Sequence, residues 1–99
     1  MPIVFIPHKQ DESYSFDKAK EFGPTKILFD GRINIYEQGF AEAVIDKLQD
    51  FKKEDFLVLT GNRAVLCIAM ANIIERYGDV RLLAFSNRNN KFTEYKLKG

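Results

Sequence analysis

The sequence predicts an α/β protein, a three-layer sandwich around a mostly parallel sheet. Short apolar runs that indicate buried strands alternate with segments of helical periodicity, and the last run follows its predecessor across a short turn. Right-handed crossovers favour the flavodoxin-like or Rossmann-like strand order 2-1-3-4-5, with an antiparallel C-terminal edge strand. We therefore expect a single domain over residues 1–99.

The first strand is predicted at residues 3–6, an apolar run that Pro7 closes because proline has no N–H to donate to a neighbouring strand. The N-terminus lacks the charged start and long apolar stretch of a signal peptide, so we assign it to the sheet. After a polar loop, a short helix is expected between a serine cap, Ser13 or Ser15, and a stop at residues 23–24. Its inward side chains would be Phe16, Ala19 and Phe22.

The second strand is predicted at residues 26–30, where Lys-Ile-Leu-Phe-Asp precedes a glycine. A second helix should begin near Tyr36, because Asn34 and Glu37 have the spacing of a capping box. Its apolar residues recur at helical spacing, and charged residues fill the other side. The inward residues of this helix would be Ala41, Val44, Ile45, Leu48 and Phe51.

The chain is organised around a central strand at residues 56–59 and the helix that follows it. An unbroken apolar run between Asp55 and Thr60 indicates a strand that is covered on both faces and lies in the middle of a sheet. The helix is predicted over residues 62–77, with Gly78 as a left-handed C-cap. One stripe of this helix is expected to pack on the sheet: Leu66, Met70, Ile73 and Tyr77.

Residues 80–85 and 91–97 are predicted to complete the sheet as its fourth and fifth strands. The turn between them is too short for a crossover, so the last strand must return antiparallel. Its charged side chains are typical of a guarded sheet edge. The predicted core contains apolar residues from four strands and the long helix: Phe5, Leu28, Val58, Leu59, Leu66, Met70, Leu82 and Leu83.

Composition narrows the function classes. Apolar residues make up 45% of the chain and charged residues 29%, and a formal net charge of +1 argues against a polyelectrolyte partner. A single cysteine excludes an internal disulfide, so we expect a cytosolic protein, in the host cytoplasm if the source is viral. The apolar run of the long helix is too short to span a membrane, and no membrane partner is expected.

The C-terminal hairpin combines basic and aromatic residues, which together can bind single-stranded nucleic acid. These residues are Arg81, Arg88, Lys91, Lys96, Lys98, Phe85, Phe92 and Tyr95. Edge strands guarded by lysine have the same composition. We therefore rank nucleic acid below the other partners.

The predicted strand order indicates one ligand position. Ligands of open α/β sheets bind beyond the carboxyl ends of the strands where the order reverses, which here lies between the first and third strands. His8 and Lys9 would line one side. The turn into the long helix would line the other: Thr60, Gly61, Asn62 and Arg63. Free N–H groups at the helix start favour a phosphate or carboxylate, and a glycine permits close approach. Alternatively, Thr60 and Asn62 only cap the helix, and Arg63 points into water.

Other chemistry has less support, and no cofactor is expected. His8, the only histidine, could act as an acid or base, or be a solvated loop residue. Asp11, Glu12 and Asp30 could hold magnesium beside a phosphate, but acidic loop residues are usually solvated. Cys67 lies within the apolar helix, where a thiol behaves as an inert hydrophobic group. The chain has no Walker loop, GxGxxG motif or nucleophile elbow, so catalysis stays an open question.

Three features of the C-terminal half occur together. Asp-Phe-Leu-Val-Leu-Thr-Gly-Asn at residues 55–62 precedes a small-residue helix that ends Arg-Tyr-Gly, and a strand at residues 80–85 then leads into a basic hairpin. This pattern resembles short uncharacterised proteins encoded by bacteriophages and other mobile elements, over residues 55–97. Lys-Glu-Phe-Gly at residues 20–23 is similar too. The resemblance implies a viral setting and supplies no catalytic motif.

Two function classes compete, ahead of an enzyme acting on a phosphorylated substrate. The first is binding of an anionic or nucleotide-like ligand at the turn into the long helix; the second is a phage-type accessory factor that acts through its surfaces. We also expect a symmetric dimer. Val65, Ile68 and Ala69 would form an apolar patch on the side of the helix that faces away from the sheet, and the last strand offers a free edge. A second copy could cover either surface.

Overall fold

The computed structural model describes residues 1–9 and 16–99. The described strands are β1 (Val4–Lys9), β2 (Thr25–Asp30), β3 (Phe56–Val58), β4 (Asp79–Ser86) and β5 (Lys91–Lys98). The described helices are a short 3₁₀ helix (Asp17–Phe22), α1 (Phe40–Lys47) and α2 (Arg63–Tyr77). Strands and helices follow one another along the chain as the sequence predicted. The predicted caps Ser13 and Ser15 lie outside the described residues.

The strands form one sheet in the order β2-β1-β3-β4-β5. β1 pairs in parallel with β2 and β3, β3 pairs in parallel with β4, and β5 returns antiparallel to β4. The predicted order and the antiparallel edge are therefore confirmed. β1 pairs with β3 only at Val4 and Phe5, whereas its pairing with β2 continues to Lys9.

The two faces of the sheet are covered unequally. α1 and α2 lie together over one face, and the larger core beneath them contains Phe5, Leu28, Val44, Leu48, Phe51, Leu57, Val65, Ala69, Ile73, Val80 and Leu82. The smaller core on the other face contains Val4, Ile6, Ala19, Phe56, Val58 and Leu83. The 3₁₀ helix covers this second core, where Phe22 packs edge-on against Phe56 with ring centroids 5.6 Å apart. In the described residues the third layer is this one 3₁₀ helix, which is the short helix that the sequence predicted, with Ala19 buried and Phe16 and Phe22 packed against the core.

α2 ends at the predicted residue and begins one residue later than predicted, at Arg63, but it buries a different stripe. Val65, Ala69 and Ile73 face the sheet and are buried, while Leu66, Met70 and Tyr77 are only partly buried. The expected apolar patch of Val65, Ile68 and Ala69 is wrong, because the first and last of these lie in the protein's own core and Ile68 packs against it. The helix is apolar around most of its circumference, so periodicity alone did not determine its rotation about its axis.

β1 continues through Pro7, where the sequence predicted its end. The β1–β2 ladder pairs Ile6 with Ile27 and His8 with Phe29 but includes no pair at Pro7, so the ladder is interrupted at this position and resumes beyond it. Pairing with β3 has already stopped at Phe5. β1 therefore accommodates a residue without an N–H at position 7.

α1 begins at Phe40 and not near Tyr36. Asn34 Oδ1 accepts the N–H of Tyr36 at 3.0 Å, but this turn is separated from the helix by Gly39, whose φ is 83°. Among the predicted inward residues of α1, those that are buried are Val44, Leu48 and Phe51, and those that are exposed are Ala41 and Ile45.

The predicted core is confirmed for the strands more fully than for α2. Phe5, Leu28, Val58, Leu82 and Leu83 are buried. Leu66 and Met70 are partly buried, and Leu59 is 36% exposed because β3 ends at Val58.

A buried carboxylate joins the starts of β1 and β3. Asp55 is 2% exposed, and its Oδ1 accepts the N–H of Ile3 at 2.8 Å. Its Oδ2 accepts the N–H of Lys52, also at 2.8 Å. Both oxygens therefore bind backbone, as a buried carboxylate requires.

Candidate functional site

The turn from β3 into α2, which the sequence predicted as a ligand position, is organised by Asn62. This residue is extended, with φ −66° and ψ 134°, and its Oδ1 accepts the N–H of Ala64 at 2.8 Å. The cap that was predicted as the alternative at Asn62 is thus present. One of the N–H groups at the start of the helix is satisfied within the protein.

Gly61 brings this turn into contact with β1. Its φ is +88°, and a Cβ at this position would lie 2.4 Å from His8 Cβ and 2.5 Å from the His8 carbonyl oxygen. Real Cβ atoms are not found at such distances from backbone, so only glycine fits here. The close approach that Gly61 allows is an approach to β1.

His8 lies under this turn, and its predicted loop position is wrong. The residue belongs to β1, pairs with Phe29 of β2 and is 3% exposed. Its Nδ1 accepts the backbone N–H of Asn62 at 3.0 Å. Its Nε2 is 2.7 Å from the carbonyl oxygen of Gly31, which can only accept.

These two bonds assign the imidazole to the neutral form that carries its proton on Nε2. Both ring nitrogens are therefore engaged by backbone, one beyond β2 and one beyond β3. Neither nitrogen faces an open site as an acid or base would. The geometry gives His8 a structural role, which neither of the sequence-based alternatives included.

The other predicted site residues, Lys9, Thr60 and Arg63, differ in burial. Lys9 pairs with Asp30 in the β1–β2 ladder, and its carbonyl accepts the N–H of Gly31 at 2.8 Å. Arg63 is exposed at the start of α2. Thr60 is half-buried and lines a cleft on the face of the sheet that carries the 3₁₀ helix.

This cleft has a volume of about 570 Å³ and opens at the carboxyl ends of β3 and β4. The lining residues come from the 3₁₀ helix and its approach, from the end of β3 and from the β4–β5 hairpin: Phe16, Asp17, Lys18, Val58, Leu59, Thr60, Phe85, Asn87, Asn90 and Phe92. Three phenylalanines and Val58 make much of its wall apolar. Side-chain amides, a hydroxyl, a carboxylate and an ammonium group surround that wall.

The cleft is held in shape by contacts between its walls. Lys18 Nζ donates to the carbonyl of Asn90 at 2.7 Å, which joins the 3₁₀ helix to the hairpin turn. The rings of Phe85 and Phe92 meet edge-to-face with centroids 5.1 Å apart. Phe92 also contacts Phe22 at 6.5 Å. The aromatic wall is therefore continuous with the core under the 3₁₀ helix.

Of the residues that line this cleft, Thr60 is the only one that the sequence predicted as part of the ligand position at the turn into α2. Phe85 and Phe92 were considered only as nucleic-acid contacts. A signal did exist, because β4 ends at the same edge of the sheet as β3 and the next residues are rich in asparagine. The contribution of Phe16 and Lys18 depends on how the 3₁₀ helix crosses the sheet.

The basic and aromatic residues of the hairpin do not all lie on one face of the sheet, and two of the basic side chains are engaged in ion pairs. Arg81 contacts Glu94 at 3.2 Å, donates to the Glu54 carbonyl at 3.0 Å and lies over the ring of Phe56. Lys96 pairs with Asp79 at 3.5 Å. Tyr95 lies three residues after Phe92 in β5, and because successive side chains of a strand point to opposite faces, Tyr95 projects from the opposite face of the sheet.

The described residues contain no group of three or more histidine, cysteine or acidic residues that could hold a metal ion. Asp30 is exposed at the end of β2, while Asp11 and Glu12, its predicted companions, lie outside the described residues. Cys67 is exposed on α2, and the expectation that its thiol is inert stays a prediction. No helix in the described part of the chain is long and apolar enough to cross a membrane.

The fold and the cleft define a small α/β protein that has a five-stranded mixed sheet and an aromatic cleft at the carboxyl ends of two parallel strands, β3 and β4. The chain belongs to the Phage Pam3 gp32-like protein family, whose model matches residues 2–99. The predicted resemblance to phage proteins is confirmed and extends well beyond residues 55–97. No curated protein and no solved structure matches the chain.

Proposed function

We propose that this phage protein is a small binding domain that holds an anionic, nucleotide-like ligand in the cleft. The observation that carries the proposal is an aromatic cleft of about 570 Å³ at the carboxyl ends of β3 and β4. Open α/β sheets bind their ligands beyond the carboxyl ends of their strands, and this cleft lies one strand away from the point between β1 and β3 where the order reverses. The volume lies within the roughly 300–1,000 Å³ of small-molecule sites, which combine apolar walls with a few polar groups.

The apolar wall suits a planar ring. Phe16, Phe85 and Phe92 line one continuous cleft, and aromatic side chains stack on the faces of nucleobases. Asn87 and Asn90 lie on the hairpin side of the cleft, where their amides can donate to and accept from the edge of a base.

The anionic part of the ligand lies towards Thr60 and Arg63. Thr60 lines the cleft two residues before Asn62, the N-cap of α2. The first turn of α2 contains Arg63 and no acidic residue, so its side-chain charge adds to the positive end of the helix dipole. His8, Gly61 and Asn62 hold this turn in place, and Lys18, which also lines the cleft, supplies a second positive charge.

A thermal-shift panel of nucleotides, cyclic nucleotides and sugar phosphates tests the proposal. A ligand at about 100 times its Kd stabilises the folded state by about 2.7 kcal/mol. For a domain of this size, that free energy raises Tm by roughly 10–20 °C. A panel in which no compound raises Tm contradicts the proposal.

Two arginine variants locate the anion. Arg63→Ala should reduce the Tm shift of any compound that binds, because it removes the cation beside the helix start. Arg32→Ala removes the same charge from an exposed position beyond β2 and should leave the shift unchanged. Equal shifts in wild type and Arg63→Ala would place the anion elsewhere.

A second candidate function is that of a non-enzymatic accessory protein that acts through its surfaces as a homo-oligomer. The outer edge of β5 favours it, since Tyr95 is 54% and Leu97 43% exposed on this terminal strand. A silent ligand panel together with self-association would support this function over the first.

A further inference from the structure

We propose that the protein dimerises by pairing β5 with β5 of a second copy, antiparallel and centred on Tyr95. β5 is the terminal strand of the sheet and runs for eight residues, all of them paired with β4 on one side. Its outer side therefore presents a row of backbone donors and acceptors. The pairing would join two five-stranded sheets into one.

Two backbone bonds fix which groups of β5 point outwards. The carbonyl of Leu83 accepts the N–H of Leu59, so it faces β3 and not its cross-strand partner Glu94. At the other end of the strand, the N–H of Gly99 donates to the carbonyl of Gly78, so odd-numbered residues of this segment direct their backbone groups towards β4. Hydrogen-bonded and non-bonded pairs alternate along an antiparallel ladder. The residues with outward backbone groups are therefore Phe92, Glu94, Lys96 and Lys98.

Several registers bring the outward backbone groups of the two copies opposite each other, and charge selects one of them. With Tyr95 opposite Tyr95 of the second copy, Glu94 lies opposite Lys96 and Lys96 opposite Glu94, so two pairs of unlike charges form. A shift of two residues in either direction sets Glu94 against Glu94 or Lys96 against Lys96. Unlike charges directly opposite each other stabilise a strand pair, and like charges destabilise it.

The side chains of this register are accessible. Glu94 is 43% and Lys96 56% exposed, and their contacts with Arg81 and Asp79 lie on the β4 side. On the other face, Tyr95 would meet its own copy, and exposed Leu97 would lie opposite Thr93. Lysine ordinarily guards a sheet edge against pairing. In this register Lys96 is instead matched by a carboxylate.

Disulfide trapping reads the register directly. Tyr95 would occupy a non-bonded pair, in which Cα atoms lie about 4.5 Å apart, within the range that a disulfide spans. In a Cys67→Ala background, which removes the exposed natural thiol, Tyr95→Cys should form a covalent dimer under mild oxidation. Thr93→Cys and Leu97→Cys are matched controls on the same face and should crosslink much more slowly. Crosslinking of either control as fast as Tyr95→Cys overturns the proposal.

A charge exchange tests the same register without cysteine. Glu94→Lys or Lys96→Glu alone sets like charges opposite each other, so each variant should elute as a monomer in light-scattering chromatography, whereas the wild type should be a dimer. A mixture of the two variants pairs unlike charges again and should recover the dimer. Circular dichroism confirms that both variants fold. A monomeric wild type, a dimeric single variant or a monomeric mixture overturns the proposal.

Discussion

Asn62 donates its backbone N–H to Nδ1 of His8 over 3.0 Å, and this bond ties the start of α2 to the end of β1. Nε2 of the same ring donates to the carbonyl of Gly31, which follows β2. One imidazole on β1 therefore holds the segments that follow the two neighbouring strands, β2 and β3. Thr60, at the cleft, lies two residues before Asn62. The geometry of the cleft therefore depends on this bond.

Replacing His8 with phenylalanine keeps a buried ring but removes both hydrogen bonds. The N–H of Asn62 and the carbonyl of Gly31 lose their partner, so His8→Phe should lower the free energy of unfolding by about 2–4 kcal/mol. Urea denaturation measures the change. Lys9→Met, at the next position of β1, should cost less than about 1 kcal/mol. If His8→Phe unfolds at the wild-type urea concentration, the imidazole does not have this role.

Alanine variants at Gly61 and Gly39 distinguish the cost of backbone strain from the cost of a steric clash. Both have positive φ, 88° and 83°, but a Cβ at Gly39 meets nothing within 4 Å, whereas one at Gly61 collides with His8. Gly39→Ala should cost about 1–2 kcal/mol for the left-handed conformation alone. Gly61→Ala should cost about 3–5 kcal/mol, because the overpacking is added to that strain. Thermal melting of the two variants measures both losses of stability. Equal losses would show that the turn does not pack against β1.

Asp55 should contribute more to stability than an exposed aspartate. Asp55→Ala leaves the backbone N–H of Ile3, beside the start of β1, and that of Lys52, in the turn before β3, without their acceptors, and we expect a loss of about 2–4 kcal/mol in chemical denaturation. Asp50→Ala is the control, because it removes an exposed pair with Lys26 that should contribute less than about 1 kcal/mol. Similar losses for both variants would mean that Asp55 is not the link between the two strands.

The fold could be predicted because its signals are local. The unbroken apolar run of β3, the glycine at the C-cap of α2 and the short turn before β5 each specify one element, and the rules of α/β connection then leave few arrangements. The rotation of α2 could not be predicted in the same way. Val65 and Leu66 are equally apolar, and the choice between them depends on the surface beneath the helix.

His8 shows why the site was only partly predictable. A histidine after a proline has the sequence context of a loop, and β1 accommodates the proline because its pairing with β3 ends at Phe5 and its ladder with β2 has no pair at position 7. The cleft depends on residues far apart in the chain, since Lys18 and Asn90 meet across its mouth. Thr60 was predicted as a ligand contact because ligands of open α/β sheets bind beyond the carboxyl ends of the strands, where the strand order reverses.

Ligand binding in the cleft is tested most directly by NMR titration of the labelled protein with a mixture of the four ribonucleoside monophosphates. The backbone amide resonances of Thr60, Asn87, Asn90 and Phe92, which line the cleft, should shift progressively until saturation. Those of Arg32, Asn34 and Gln38, which line a smaller cleft of about 340 Å³ near the start of α1, should stay in place. Unchanged resonances around the aromatic cleft, or shifts confined to the smaller one, would contradict binding at the carboxyl ends of β3 and β4.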